Sequence, residues 1–195
     1  MDNLKCSWAT RSELELIYHD EQWGFPLLDD DLLFEMLILE TMQAGLSWTT
    51  ILNKRAGMKL AFDNFDPKII QNYDDQKIEA LLSNEMIIRN KLKVKATVSN
   101  ATAFLKIVEE YGSFNQFIWA YVNFTPIQTT AKTMSDVPNF TPLAEKISKD
   151  LKKKGFKFIG PTTVYAFMQS IGMVNDHVIT CPIHEKAKKA ATHLN

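Results

Sequence analysis

Cysteine is nearly missing from this chain, with two in 195 residues, too few for the disulfide framework that holds small secreted domains together. Also lacking is any run near the roughly 18 uninterrupted apolar residues that a membrane helix needs. The N-terminus carries no basic stretch leading into an apolar segment, the pattern of a secretory leader. These gaps lead us to expect a soluble, cytoplasmic protein with reduced thiols and no membrane partner; a monomer is expected as well. No run alternates apolar and polar residues as a half-buried strand would, and the apolar spacing is helical nearly throughout, so the expected class is all-α. With 46% apolar residues, the chain can bury one sizeable core as a single domain over 1–195.

Positive charge in excess is lacking too, the net being -1. The distribution is less even than the total. Residues 1–45 hold ten acids against Lys5 and Arg11, a net of -8, which leaves +7 for the remainder. Much of that lies in EKISKDLKKKGFK, with Lys153 and Lys157 near its end, and in the tail at Lys186, Lys188 and Lys189. Two readings stand for it: a solvated helix face, or a surface for phosphates.

Punctuation residues mark the helices. Asp29 to Asp31 cap a helix through LLFEMLILETMQA that stops near Gly45, and Ser47 caps WTTILNKRAGMKLAF. Asp66-Pro67 and Asp74 open two short helices, and KLKVKATVSNATAFLKIVEEY runs to Gly112. Residues 124–142, rich in proline and hydroxyls, form the one long loop. Two lobes would part near 112–142. After the loop, LAEKISKDLKKK and TTVYAFMQSIG are helices joined by the turn GFKFIGP, a helix-hairpin-helix unit over about 143–172. Such a turn can offer backbone N–H groups and a helix N-terminus, at Gly160, to a phosphate. An ordinary helical hairpin needs the same glycines.

The scarce cysteines each have a histidine at ligand spacing. His177 and Cys181 would share a face if Asn175 capped a last helical turn before Pro182, and Cys6 has twelve residues between it and His19. Two thiolates and two imidazoles suit a closed, structural zinc site that ties the chain ends together. His184 rivals His177 and Cys181 as a ligand, and two free buried thiols are the plainer alternative. Glu40 is the other anomaly: it follows Leu33, Met36 and Leu37 on the apolar side of its helix, with Gln43 one turn later. A carboxylate there needs an ion pair, with Arg55 or Arg89, or a polar pocket. Trp8, Tyr18, Trp23 and Trp48 are either core or the walls of a slot for a flat, electron-poor ligand.

Taken together, CSW, YHDEQWGFP, LFEMLILETMQAGLSWTTIL, FDNFDP, IIRNKLKVKATVSNA, LKKKGFKFIGPTTVYAFMQSIGMVNDH and HVITC resemble the 3-methyladenine DNA glycosylase I family, in unbroken order from about residue 6 to about 181. The resemblance implies an all-α fold of the helix-hairpin-helix glycosylase type, two helical lobes around a cleft, and one structural zinc held by Cys6, His19, His177 and Cys181. It places Glu40 and Tyr18 against the damaged base, with Trp48 stacking and Trp8 nearby, and Leu46 in the turn facing the gap left by the base. Joined to the reading of the residues, this makes Glu40 the expected catalytic carboxylate, Gln43 an amide for the base edge, and Lys153, Lys157 and Gly160 the expected contacts to DNA. The family lacks the sugar-side aspartate of related glycosylases, so Asp176 receives no catalytic role. The implied activity is flipping and hydrolytic release of 3-methyladenine from alkylated double-stranded DNA, leaving an abasic site and the free base. Two other readings compete: a zinc-stapled DNA-binding module without activity, in which Glu40 is idle, and a zinc hydrolase, for which four protein ligands leave no open position.

Overall fold

The computed structural model describes residues 4–193. Among them run ten α-helices: α1 (Glu13–Glu21), α2 (Asp30–Gln43), α3 (Trp48–Ala61), α4 (Pro67–Ile70), α5 (Asp75–Ser83), α6 (Lys91–Tyr111), α7 (Phe114–Trp119), α8 (Pro142–Lys153), α9 (Pro161–Ser170) and α10 (Pro182–Ala190). The caps sit where local chemistry puts them. Asp29, Ser47, Asp66 and Asp74 each accept a hydrogen bond from a first-turn N–H of α2, α3, α4 and α5. None of the helices is long and apolar enough to cross a membrane.

α2 is the centre. Every residue from Leu33 to Met42 is buried, and the helix packs against α3, α6, α7 and α9. A helix apolar on all sides belongs in that position. Glu40 therefore does not project from one apolar face, because over this stretch α2 has no polar face at all. Aromatic rings carry the core outward: Phe34 meets Phe104 of α6 at 5.0 Å between centroids, and Phe104 stacks on Phe114 of α7 at 4.5 Å. Asp30, in the first turn of α2, accepts the N–H groups of Phe114 and Asn115 at 2.9 and 2.8 Å, so one carboxylate fixes where α7 begins.

The expectation of no strands needs one correction. Ile127–Gln128 (β1) pairs in parallel with Val174–Asn175 (β2). Two residues a side are too few to leave an alternating pattern in the sequence. The pairing matters because it pins the 124–142 loop to the segment leading into His177. The proposed helical turn from Asn175 to Cys181 is also corrected. Asn175 lies in β2, where its amide donates to Gln128 Oε1 and to the His184 carbonyl, and Pro182 opens α10 instead of ending a turn. Proline suits a first helical position, where its missing N–H leaves no bond unmade.

Candidate functional site

Helix α1 serves two adjacent sites with consecutive side chains. His19 turns to one, Tyr18 to the other.

The first is a buried cluster of Cys6, His19, His177 and Cys181, whose ligand atoms all lie within 4.8 Å of one another. His19 Nε2 is 3.1 Å from His177 Nδ1 and 3.7 Å from Cys181 Sγ, while Cys6 Sγ is 3.8 Å from His177 Nδ1. Each ring is held from its far side. His19 Nδ1 lies 2.8 Å from Asp20 Oδ1, and His177 Nε2 lies 2.8 Å from the Trp23 carbonyl. Those acceptors draw the ring N–H outward and leave both inner nitrogens bare for a cation. The Cys6 hydrogen bond and the two imidazoles pull the Cys181 thiol far below its ordinary range, while Cys181 and burial push Cys6 up. The backbone yields at this point: a Cβ on Gly24 (φ +80°) would stand 2.9 Å from the His177 ring. His184 is outside the cluster. Its Nε2 faces the Thr129 carbonyl at 3.2 Å, so it holds the long loop and is no rival ligand.

The second site is a cavity of about 500 Å³ beside α2. Trp8, Tyr18, Glu40, Gln43, Leu46 and Trp48 all line it, so the base-binding candidates named from the sequence converge on one space. Trp8 and Trp23 meet edge to face at 5.0 Å, and the Tyr18 and Trp48 rings are 5.1 Å apart. Trp23 also packs against the His177 ring at 4.6 Å, which couples the cavity wall to the cluster. Glu40 forms no ion pair among the described residues. Arg55, one suggested partner, pairs with Glu35 at 2.7 Å, and Arg89 pairs with Glu85. Burial pushes the Glu40 carboxyl up to about 8, opposed only by the Ser170 hydroxyl. That hydroxyl is committed elsewhere, donating to the Phe167 carbonyl at 2.9 Å. Burial and the Glu40 charge likewise drive Tyr18 well above its usual range. Glu40 Oε2, Tyr18 OH, Trp48 Nε1 and Glu15 Oε2 are all buried with no hydrogen-bond partner. Orphaned polar atoms gathered in one cavity are the mark of a recognition site rather than of a core.

Several lining residues carry no signal of this role in the sequence: Arg11, Glu15, Met134, Val137, Tyr165 and Gln169. Met134 and Val137 come from the long loop, whose composition does not say where it packs. Asp176 is buried behind α9, accepting from Tyr165 OH at 2.6 Å and Gln169 Nε2 at 2.7 Å.

At the cavity mouth, Leu46 is 40% exposed in the turn that Gly45 (φ +78°) allows after α2. Lys93 of α6 braces this turn, its Nζ donating to the carbonyls of Met42 and Ala44 at 2.8 and 2.6 Å. Burial lowers its pKa. The α8–α9 turn is held by Asn100, which accepts from Lys157 N at 2.7 Å and donates to Lys157 O at 3.2 Å. Gly160 begins α9 with no side-chain cap, and Thr162 of that first turn lines the cavity. The basic stretch is partly neutralised: Lys146, Lys149 and Lys154 pair with Asp150, Glu145 and Glu110 within 2.9 Å, and Lys153 lies 3.7 Å from Asp150. Lys157 is exposed and has no ion pair among the described residues.

Comparison with known proteins gives a consistent picture. The profile of the methyladenine glycosylase family matches residues 8–185. DNA-3-methyladenine glycosylase 1 of Escherichia coli (strain K12) is 42% identical over 177 residues, 91% of this chain and 95% of that one. A crystal structure of 3-methyladenine DNA glycosylase I superposes with a TM-score of 0.89 at 43% identity, covering 92% of this chain and 99% of the other. A tyrosine-to-phenylalanine variant of such an enzyme in complex with 3-methyladenine superposes with a TM-score of 0.88 at 40% identity, over 91% and 95% of the two chains.

Proposed function

The chain belongs to the methyladenine glycosylase family, and from that membership and the chemistry of the cavity we propose that it releases 3-methyladenine from alkylated double-stranded DNA, leaving an abasic site. One observation carries the reading: Glu40 is buried without an ion pair, in a cavity walled by aromatic rings.

Adenine alkylated at N3 is cationic while it is joined to the sugar. Glu40, pushed up to about 8 by burial, is protonated at neutral pH. A cationic base entering the cavity expels that proton and is compensated by the resulting carboxylate, whereas a neutral base offers nothing in return for ionising it. Selection for damage follows from this difference. Tyr18, Trp48 and Trp8 give the flipped base flat walls, and Gln43 offers an amide to its edge. The bond from N9 to the sugar carbon breaks with its electron pair going to the base, which leaves neutral. Water adds to the sugar carbon and its proton passes to solvent. Positive charge develops on the sugar as the bond opens, and the Glu40 carboxylate is the nearby anion that favours it.

The duplex meets this site through the α8–turn–α9 unit, read here as a helix-hairpin-helix within one domain whose two lobes flank the cleft. The uncapped N-terminus of α9 at Gly160, with Lys153 and Lys157, contacts phosphate, and Leu46 enters the gap left by the base. The protein acts as a monomer on this reading.

Cys6, His19, His177 and Cys181 fit zinc. Bonds of about 2.3 Å to sulfur and 2.0–2.1 Å to nitrogen at tetrahedral angles put ligand atoms roughly 3.3–3.8 Å apart; the two histidine nitrogens are 3.1 Å apart and three sulfur–nitrogen pairs lie at 3.7–3.9 Å, with the whole set within 4.8 Å. Four protein ligands leave no place for a reacting water, so the ion would supply structure, stiffening Trp8 and Tyr18 through their neighbours in the chain.

The test is chromatographic analysis of bases released from methylated duplex DNA. Release of 3-methyladenine is the expected result. Duplex binding without release would favour the inactive DNA-binding module.

A further inference from the structure

Glu15 is only 2% exposed and has no part in the function just proposed. Its place in the sequence suggests a local duty, because Ser12-Glu13-Leu14-Glu15 has the spacing of a reciprocal helix cap, in which the glutamate folds back onto the serine's N–H. The serine keeps its half of that arrangement: Ser12 Oγ accepts from Glu15 N at 3.2 Å. The glutamate does not. Its Oε1 accepts the Thr49 hydroxyl of α3 at 2.7 Å, which turns the side chain toward the interior, where it lines the same cavity as Glu40. Oε2 is buried and unpartnered.

The orphaned atoms of the cavity therefore comprise two carboxyl oxygens, one on Glu15 and one on Glu40, against a single obligate donor, Trp48 Nε1, and a phenol that can serve either way, Tyr18 OH. A ligand that satisfies Glu15 Oε2 must bring an N–H group to it. We infer that Glu15 is a second specificity-determining residue, whose Oε2 accepts an N–H of the flipped purine, so that the cavity selects alkylated purines bearing an exocyclic amine over those with an oxo group in its place. An oxo-purine would set a carbonyl oxygen against Glu15 Oε2 and leave that buried acceptor unpaired, the kind of mismatch that discriminates strongly in an enclosed site. This inference rests on the base-release reading.

The experiment measures binding of free 3-methyladenine and free 3-methylhypoxanthine, which carry an amine and an oxo group at the same ring carbon, the oxo base also holding a proton on the adjacent ring nitrogen, to the wild-type protein and to Glu15→Gln by calorimetry. Glutamine keeps a carbonyl for the Thr49 hydroxyl but presents an NH₂ where the free oxygen was. Wild-type protein is expected to prefer the amine, and Glu15→Gln to cut the preference about tenfold, the worth of one hydrogen bond. A folded Glu15→Gln protein with the wild-type preference overturns the inference, and so does wild-type protein that binds both bases equally. Should Glu15→Gln not fold, Glu15→Asp, which withdraws the oxygen by one methylene, is read in the same way. Release of 3-methyladenine from methylated duplex by wild-type protein separates the two failures: no release defeats the glycosylase reading, while release with an unchanged preference defeats only the role of Glu15.

Discussion

Tyr18 and His19 are adjacent in sequence and belong to sites that treat polar atoms in opposite ways. Around His19, each imidazole in the Cys/His cluster has an outer acceptor, Asp20 for one ring and the Trp23 carbonyl for the other, and the inner atoms converge on a single point. Around Tyr18, four buried polar atoms have no partner among the described residues. A buried group left without a hydrogen bond costs on the order of 1–3 kcal/mol, so these atoms favour an occupant that supplies partners, while the cluster beside them holds its rings from within the protein. Completion and incompleteness are the physical difference between the cluster, proposed as a brace, and the cavity, proposed as the base site, although both draw on the same helix and on Trp8 and Trp23.

Breaking the brace should have the largest effect. Cys181→Ser, or Cys6→Ser, is expected to lower stability by about 3 kcal/mol or more, with a thermal unfolding curve that no longer responds to a chelator. Wild-type protein that binds no zinc, or that unfolds identically with and without chelator, would assign the cluster to packing alone.

The cavity should answer in the other direction. With its folded-state carboxyl raised to about 8 from an ordinary 4.5, Glu40 keeps a proton in the native state that the unfolded chain has already lost. Native protein thus binds more protons between pH 4.5 and 8, and stability falls as pH rises through that window. Glu40→Gln removes the penalty. The variant is expected to match wild type near pH ~4.5 and to exceed it by a few kcal/mol at pH ~8.5, while releasing 3-methyladenine on the order of 100-fold more slowly. Denaturant unfolding at the two pH values decides the point: an unchanged difference between them would mean that Glu40 is ionised and paired in the native state.

A milder change sharpens the contrast at the border of the two sites. Asp20→Ala takes away the outer acceptor of His19 without touching a ligand, and should weaken zinc affinity by about 10- to 100-fold in competition with a chromophoric chelator. Affinity for free 3-methyladenine should hold, since Asp20 does not line the cavity. Smallest of all is the surface effect. Lys153→Ala with Lys157→Ala should flatten the salt dependence of duplex binding by about one unit of slope for each phosphate no longer neutralised, equally for damaged and undamaged DNA. An unaltered slope would move the phosphate surface away from the α8–α9 turn.

How much of the fold and of the site is legible in the sequence depends on how far each residue stands out from its local surroundings. Glu40 stands out because a charge in LLFEMLILETM has no local excuse. Glu35, five residues earlier, is equally buried but paired with Arg55 and Lys59, and only tertiary structure separates the two. Glu15 is hidden because SELE is an ordinary helix start, and Lys93 because KLKVK reads as a solvated end of α6. Spacing alone does not rank His184 against His177; only the resemblance to a family does. Their difference arises from β1–β2, a pairing too short to leave a pattern, which brings Thr129 to one histidine and leaves the other for the cluster. The lysine-rich helix is legible as charge but not as free charge, since Glu145 and Asp150 lie one turn from the lysines they neutralise.

The cluster also fixes an order of assembly. Cys6 and His177 stand 171 positions apart, and His19 and Cys181 stand 162 apart, so the pieces made first wait for the pieces made last. On the ribosome, α2 and α3 can pack as soon as they emerge, because they touch one another and are near in sequence. Trp8 and Tyr18 have no such option: the histidine and cysteine that lock their neighbours reach the solvent only when translation has passed residue 181. A nascent chain accordingly carries its central helices before the cavity wall beside the cluster can be completed, because Trp23 of that wall packs on His177.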